Sequence, residues 1–138
     1  MTLKERCPVL HFESLGDERG HLVVVEGAQA IPFDIKRVFY IYGSDDTVVR
    51  GRHANRESEF VFINVAGKSK LKITDGTEEL ILELDKPNMG VYLPRMLWKD
   101  MYDFSPDSVL LVLARTHYDG TEYIRNYEDY LKEINKAP

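Results

Sequence analysis

The sequence predicts an all-β protein, an antiparallel barrel or jelly roll with a short helix at its C-terminal end, and three observations carry that prediction. Seven short apolar segments rich in β-branched and aromatic residues recur at 22–26, 37–42, 59–65, 68–74, 79–84, 90–93 and 109–114. Turn-forming stretches separate them, among them Gly16-Asp17, Arg19-Gly20, Gly43-Ser44-Asp45-Asp46, Ala66-Gly67, Asp75-Gly76 and Lys86-Pro87-Asn88. Helical spacing is confined to the tail, 119–135, where Tyr123, Tyr127, Tyr130, Leu131 and Ile134 would share one packed face.

Taken in order, the segments at 22–26 and 37–42 are bounded by Gly-containing turns and read as strands. Those at 68–74 and 79–84 flank Asp75-Gly76, the pattern of a tight antiparallel hairpin in which Gly supplies the positive φ. Asp119 or Thr121 is positioned to cap the terminal helix. No repeat, low-complexity segment or linker divides the chain, so residues 1–138 are expected to form one domain, a length at which roughly two thirds of the unfolded chain's surface is buried.

Composition narrows the function classes. A formal charge of -5 gives no general attraction to nucleic acid or to an anionic membrane, so any bound phosphate has to meet a local arginine cluster. No apolar run approaches the ~20 residues that span a bilayer. The one cysteine, Cys7, cannot form an internal disulfide, and no signal-like apolar run precedes the polar segment from Lys4 to Arg6. A cytoplasmic location, with neither nucleic acid nor membrane as partner, is the expectation.

The densest polar stretch, Arg50-Gly51-Arg52-His53-Ala54-Asn55-Arg56-Glu57-Ser58-Glu59, runs directly into the apolar segment beginning at Phe60. Strand alternation would put His53, Asn55 and Glu59 on one side. Further on, Pro94-Arg95-Met96-Leu97-Trp98-Lys99 places a cation five residues after a proline. These two segments resemble the paired motifs of cupin barrels, His-x-His with a later Glu, then Pro-x-Gly-x-x-His, whose side chains meet to hold a metal. Against that pattern His53 and Glu59 are kept, but Asn55 and Lys99 replace histidines. An ammonium has no lone pair to donate, and one His with one carboxylate is too few ligands, so the expectation is a pocket without metal or other cofactor.

Together with the block Ile31-Pro32-Phe33 through Lys36-Arg37-Val38-Phe39-Tyr40 and the closing Tyr123-Ile124-Arg125, the run Arg50-Gly51-Arg52-His53-Ala54 is similar to the sugar 3,4-ketoisomerases, RmlC-like metal-free cupins. The resemblance covers nearly the whole chain, from Asp17-Glu18-Arg19-Gly20 to the terminal helix. It implies conversion of dTDP-4-keto-6-deoxyglucose to a 3-keto sugar, for deoxy-amino-sugar synthesis feeding surface polysaccharide. It also implies a homodimer with an exchanged N-terminal strand. Where such enzymes carry an Arg-Gly-x-His-Ala-His run, this chain ends in Asn55, and Lys99 stands where they often carry another histidine.

On that resemblance His53 is the expected base for proton transfer beside a carbonyl; if Asn55 cannot shuttle a proton, Lys99 takes that part, or His53 acts alone with Lys99 stabilising negative charge. Tyr40 and Lys99 would steady the oxyanion. Arg37, Arg50 or Arg52 would hold the diphosphate, Tyr42 or Trp98 would stack on thymine, and Glu59 and Tyr102 would complete the substrate pocket. Three other readings compete: a nucleotide-sugar 3,5-epimerase, a non-catalytic nucleotide-sugar binder, and a metal-dependent cupin oxygenase. The last conflicts with Asn55 and Lys99.

Overall fold

Alternation of large apolar and polar side chains gives the chain two sheets whose facing sides share one interior. The computed structural model describes residues 1–135. Helix α1 (Leu3–Arg6) leads into strands β1 (Val9–His11), β2 (Ser14–Asp17), β3 (Gly20–Val23), β4 (Arg37–Tyr42), β5 (Arg50–Asn55), β6 (Phe60–Ala66) and β7 (Ser69–Thr74). There follow β8 (Glu79–Leu84), β9 (Met89–Leu93), β10 (Trp98–Tyr102), β11 (Val109–Ala114), β12 (Tyr123–Ile124) and helix α2 (Tyr127–Asn135).

One sheet has the order β1-β9-β6-β11-β4 and the other β12-β5-β10-β7-β8. The strand pairs within them are antiparallel. We call them the first and second sheets. Between them lies the main core, in which Phe60, Phe62, Val91, Leu93, Leu110 and Val112 of the first sheet meet Leu71, Ile73, Leu84 and Met101 of the second. The alternate residues Val61, Ile63 and Leu113 turn to the outer face of the first sheet, where Phe12, Ile31 and Phe33 cover part of them. On the outer face of the second sheet, Ala54, Trp98 and Ile124 lie under Tyr130 of α2.

The seven predicted segments are all represented, with one altered in kind. Of the segment predicted at 22–26 only Leu22 and Val23 are in a strand, the end of β3, which pairs only with β2 in a separate hairpin. The Asp75-Gly76 hairpin joins β7 to β8 as expected, but through the four residues 75–78, with Gly76 at φ +92 beneath Leu131 and Ile134 of α2. The helical tail is shorter than predicted. Asp119 caps a 3-10 turn, Gly120–Glu122, by accepting from the Thr121 amide at 3.0 Å, and β12 intervenes before α2 begins. Tyr123 therefore belongs to a strand, while Tyr130 is the fully buried tyrosine of the helix, its hydroxyl donating to the Met96 carbonyl at 2.9 Å. No helix among the described residues is long and apolar enough to cross a membrane.

Candidate active site in the barrel interior

The site begins with an irregularity in β5. Lys99 of β10 pairs with His53 and Asp100 pairs with Gly51, so Arg52 is the extra residue of a β-bulge. Gly51 at φ +86 and Arg52 at φ +54 make this possible, and a Cβ on Gly51 would approach the Lys99 carbonyl oxygen and Met101 Cε at 3.0 Å each. Cross-strand partners share a face. The bulge therefore returns Arg50, opposite Met101, to the same face as His53 and Lys99, while Arg52 turns outward.

Inside the barrel, His53 Nδ1 lies 2.9 Å from the Gly51 carbonyl oxygen. A carbonyl can only accept, so Nδ1 carries the proton and Nε2 keeps its lone pair. Burial first and the neighbouring Lys99 cation second push His53 down to about 4, which leaves the ring neutral at ordinary pH. Its ring centroid stands 4.8 Å from that of Tyr123.

Lys99 is 2 % exposed, and its Nζ donates to Asn55 Oδ1 at 2.8 Å while lying 4.7 Å from the Phe60 ring centroid. Burial brings it down to about 7, with a nearby Glu122 acting to raise it and Arg37 to lower it. Arg37 stacks on Phe39 and Tyr118 and donates through Nη1 to the Tyr123 hydroxyl at 3.5 Å, but its buried Nε and Nη2 have no partner among the described residues. Lys99 thus stands within electrostatic reach of a second cation, Arg37, and of one carboxylate.

That carboxylate, Glu122, has no counterpart among the sequence-based candidates. It accepts from the Ser58 amide at 2.9 Å, from the Glu57 amide at 3.2 Å and from the Ser58 hydroxyl. Since a carboxylate only accepts, Ser58 Oγ gives its proton to Glu122, and the Thr116 hydroxyl bonded to Ser58 must be the donor of that pair. Burial acts to raise the Glu122 carboxyl. The Ser58 hydroxyl and amide, the Asn55 side chain and the Glu57 amide outweigh it and hold the group below the usual carboxylate range. Tyr123 and Arg125, whose guanidinium stacks 4.5 Å from the Tyr123 ring, complete this side of the site.

Of the residues singled out in the sequence, His53, Asn55, Lys99, Arg37 and Arg50 share the interior-facing side, and six do not. Glu59 sits in step with Val61 and Ile63, on the outer face of the first sheet, where Tyr92 donates to one oxygen and Arg115 Nη1 approaches the other at 2.8 Å. Strand alternation in β4 turns Tyr40 and Tyr42 to the same outer face, at 61% and 71% exposure. Arg52, Trp98 and Tyr102 line a shallow hollow on the outer face of the second sheet with Val49, Lys72, Ile81 and Asp100. Sequence alternation misplaced Glu59 because it assumed one unbroken strand, whereas the chain leaves β5 at Asn55 and enters the other sheet at Phe60. No local signal marked Glu122; the one hint was that a buried lysine requires a counter-charge. Among the described residues no three His, Cys, Asp or Glu side chains gather as a metal-ligand set.

The family model "FdtA: WxcM-like, C-terminal" matches residues 5–135. The TDP-4-oxo-6-deoxy-alpha-D-glucose-3,4-oxoisomerase of Aneurinibacillus thermoaerophilus is 40% identical over 128 residues, covering 93% of this chain and 92% of its own. A histidine-to-asparagine variant of the 3,4-ketoisomerase QdtA from Thermoanaerobacterium thermosaccharolyticum, in complex with TDP-4-keto-6-deoxyglucose, superposes with a TM-score of 0.93 at 40% identity, covering 97% of each chain. The 3,5-epimerase RmlC of Legionella pneumophila matches with a TM-score of 0.77 at 15% identity over 89% of this chain and 73% of its own, a likeness of fold alone, and the fold is the RmlC-like cupin barrel.

Proposed function

The chain belongs to the FdtA, WxcM-like family of sugar 3,4-ketoisomerases, and on that footing we propose that it converts dTDP-4-keto-6-deoxyglucose to the 3-keto-6-deoxyhexose by acid–base catalysis. The observation that carries the reading is the pairing of a neutral, partly buried His53, whose Nε2 keeps its lone pair, with a buried lysine across the same strand pair. In this mechanism His53 Nε2 takes the proton from C3. The electrons of that C–H bond form the C3–C4 double bond, and the former ketone oxygen O4 becomes an oxyanion that Lys99 stabilises and protonates. Lys99, having given its proton to O4, then takes the O3 proton as His53 returns the proton it holds to C4, which moves the ketone to C3 and leaves both groups as they began. Arg37 and Arg50, both on the interior-facing side, suit an anionic diphosphate, and the excess of cations there favours the negative charge that develops.

The decisive experiment follows TDP-4-keto-6-deoxyglucose by proton NMR in deuterated buffer. The expected result is a 3-keto product carrying solvent deuterium at C4, with His53→Asn reducing the rate by about 100- to 10,000-fold. A ketone that stays at C4 while two ring carbons exchange would make the protein an epimerase. Binding without any conversion would make it a nucleotide-sugar binder.

The reading extends to a cytoplasmic enzyme of deoxy-amino-sugar synthesis for surface polysaccharide, acting as one cupin unit in a homodimer with an exchanged N-terminal segment. In support, burial raises the Cys7 thiol to about 11, which keeps it unreactive. Leu15 and Leu22 of the β2–β3 hairpin are 45% and 59% exposed, an apolar cost that a second copy would relieve.

A further inference from the structure

We propose that Tyr118 is the base-binding residue of this site, the ring on which the pyrimidine of the nucleotide-linked sugar stacks; the assignment rests on the reading of Arg37 as a diphosphate ligand. A sugar nucleotide is laid out in a fixed order: hexose, diphosphate, ribose, base. With the hexose at His53 and Lys99 and the diphosphate at Arg37, the base lies past Arg37, farther from His53 than the phosphates. The two aromatic residues singled out for it in the sequence are not there, since Tyr42 lies on the outer face of the first sheet and Trp98 on that of the second.

Tyr118 occupies that place. The chain leaves the first sheet at Ala114, which pairs with Arg37, and enters the second at Tyr123, which pairs with Asn55. Residues 115–122 therefore cross between the sheets at the end of the barrel that holds Arg37 and Asn55. The Tyr118 ring centroid is 5.7 Å from Arg37 Cζ and 5.7 Å from the Tyr123 ring, which in turn stands 4.8 Å from that of His53. Phe39 and Phe60 hold the same guanidinium from the core side, at 5.4 and 5.9 Å. Arg37 is thus clasped between two rings of the core and one that is 65% exposed, and a run of rings leads from His53 to solvent. An exposed tyrosine alone is ordinary surface. Here, Arg37 Nε and Nη2 are buried without a hydrogen-bond partner among the described residues, a cost that an anionic ligand would relieve. The crossing is also fixed on both sides of Tyr118, by Thr116 bonded to Ser58 and by Asp119 accepting from the Thr121 amide at 3.0 Å. A platform already held in place costs little to order when a base stacks on it.

Titration calorimetry of the full-length protein with TDP, together with nuclear Overhauser contacts from the bound thymine, tests the assignment. Tyr118→Leu is expected to weaken TDP by about 5- to 150-fold, the range for loss of one base–aromatic stack. Tyr118→Phe keeps the ring and is expected to bind TDP as wild type does. Wild type is expected to show contacts from thymine H6 and its methyl group to tyrosine ring protons, and Tyr118→Leu to lose them. Unchanged TDP affinity in Tyr118→Leu overturns the proposal, as does an equal loss in Tyr118→Phe. A loss in Tyr118→Leu with no thymine–tyrosine contact in wild type also overturns it, because Tyr118 would then act through Arg37. Binding is measured apart from turnover: if TDP binding follows this pattern while no keto sugar is converted, the isomerase reading fails and the base site stands. If turnover is observed and TDP affinity ignores Tyr118, this assignment fails and the isomerase reading stands.

Discussion

At the scale of single residues, the proposed chemistry rests on two ionisable groups that burial holds toward their uncharged forms. His53 and Lys99 are cross-strand neighbours, and each is poorly solvated, so each is held in its uncharged form more than water would allow. Replacing Lys99 by Met removes a like charge from beside His53. Its titration, read from the imidazole proton shifts, is therefore expected to move upward from about 4 toward the unperturbed value. A His53 that titrates in Lys99→Met as in wild type would show that the two groups do not share an environment. The stability consequence has a definite sign. The folded value lies below the unfolded one of about 6.5, so His53's contribution is complete above about pH 6.5 and is lost as pH falls toward 4, because the unfolded chain takes up the proton first. By raising the folded value, Lys99→Met narrows that window, and its urea midpoint should fall less steeply with acid than that of wild type.

At the scale of elements, the bulge in β5 decides which arginine serves the interior. Simple alternation would face Gly51, His53 and Asn55 inward and leave both Arg50 and Arg52 outside; the extra residue at Arg52 brings Arg50 back. Gly51→Ala tests this directly. It forces a Cβ against the Lys99 carbonyl in a left-handed conformation, and its expected cost is about 1–3 kcal/mol in urea denaturation, accompanied by lost activity because Lys99 and His53 share the disturbed ladder. A variant with wild-type stability and turnover would mean that the bulge is free to relax. This element also marks how far the sequence could be read. The apolar segments of β4, β6, β7, β8, β9 and β11 declared themselves, since each has large side chains on at least one buried face. Strand β10 did not, because its inward Lys99 and outward Asp100 disguise an element whose Trp98 is covered by α2 and whose Met101 is in the core. The His53, Asn55 and Lys99 cluster was legible from two short motifs, whereas Glu122 reaches the site from a 3-10 turn more than 60 residues beyond its Ser58 partner and leaves no local pattern.

At the scale of the whole molecule, the two outer faces are unequal. That of the second sheet is partly closed by α2 over Trp98. On the first sheet, the edge strand β4 presents Val38, Tyr40 and Tyr42 at 55%, 61% and 71% exposure, and Val23, Val25, Ile63, Val65 and Leu111 line an apolar cavity beside Val38. A pleated sheet with apolar residues on both faces requires cover on both. We propose that a second copy supplies it with self-complementary surface, as expected for a two-fold interface. On this view Tyr40 and Tyr42, which strand alternation turns away from His53, serve assembly. The double substitution Val38→Lys with Tyr40→Lys places like charges on that face and, in the two-fold-related partner, opposite it. Sedimentation equilibrium at micromolar concentration is expected to report a dimer for wild type and a monomer for the variant, with far-ultraviolet circular dichroism unchanged because neither side chain enters the main core. A wild-type monomer, or a variant that remains dimeric, would remove this face from assembly and leave its exposed tyrosines and valines without a partner.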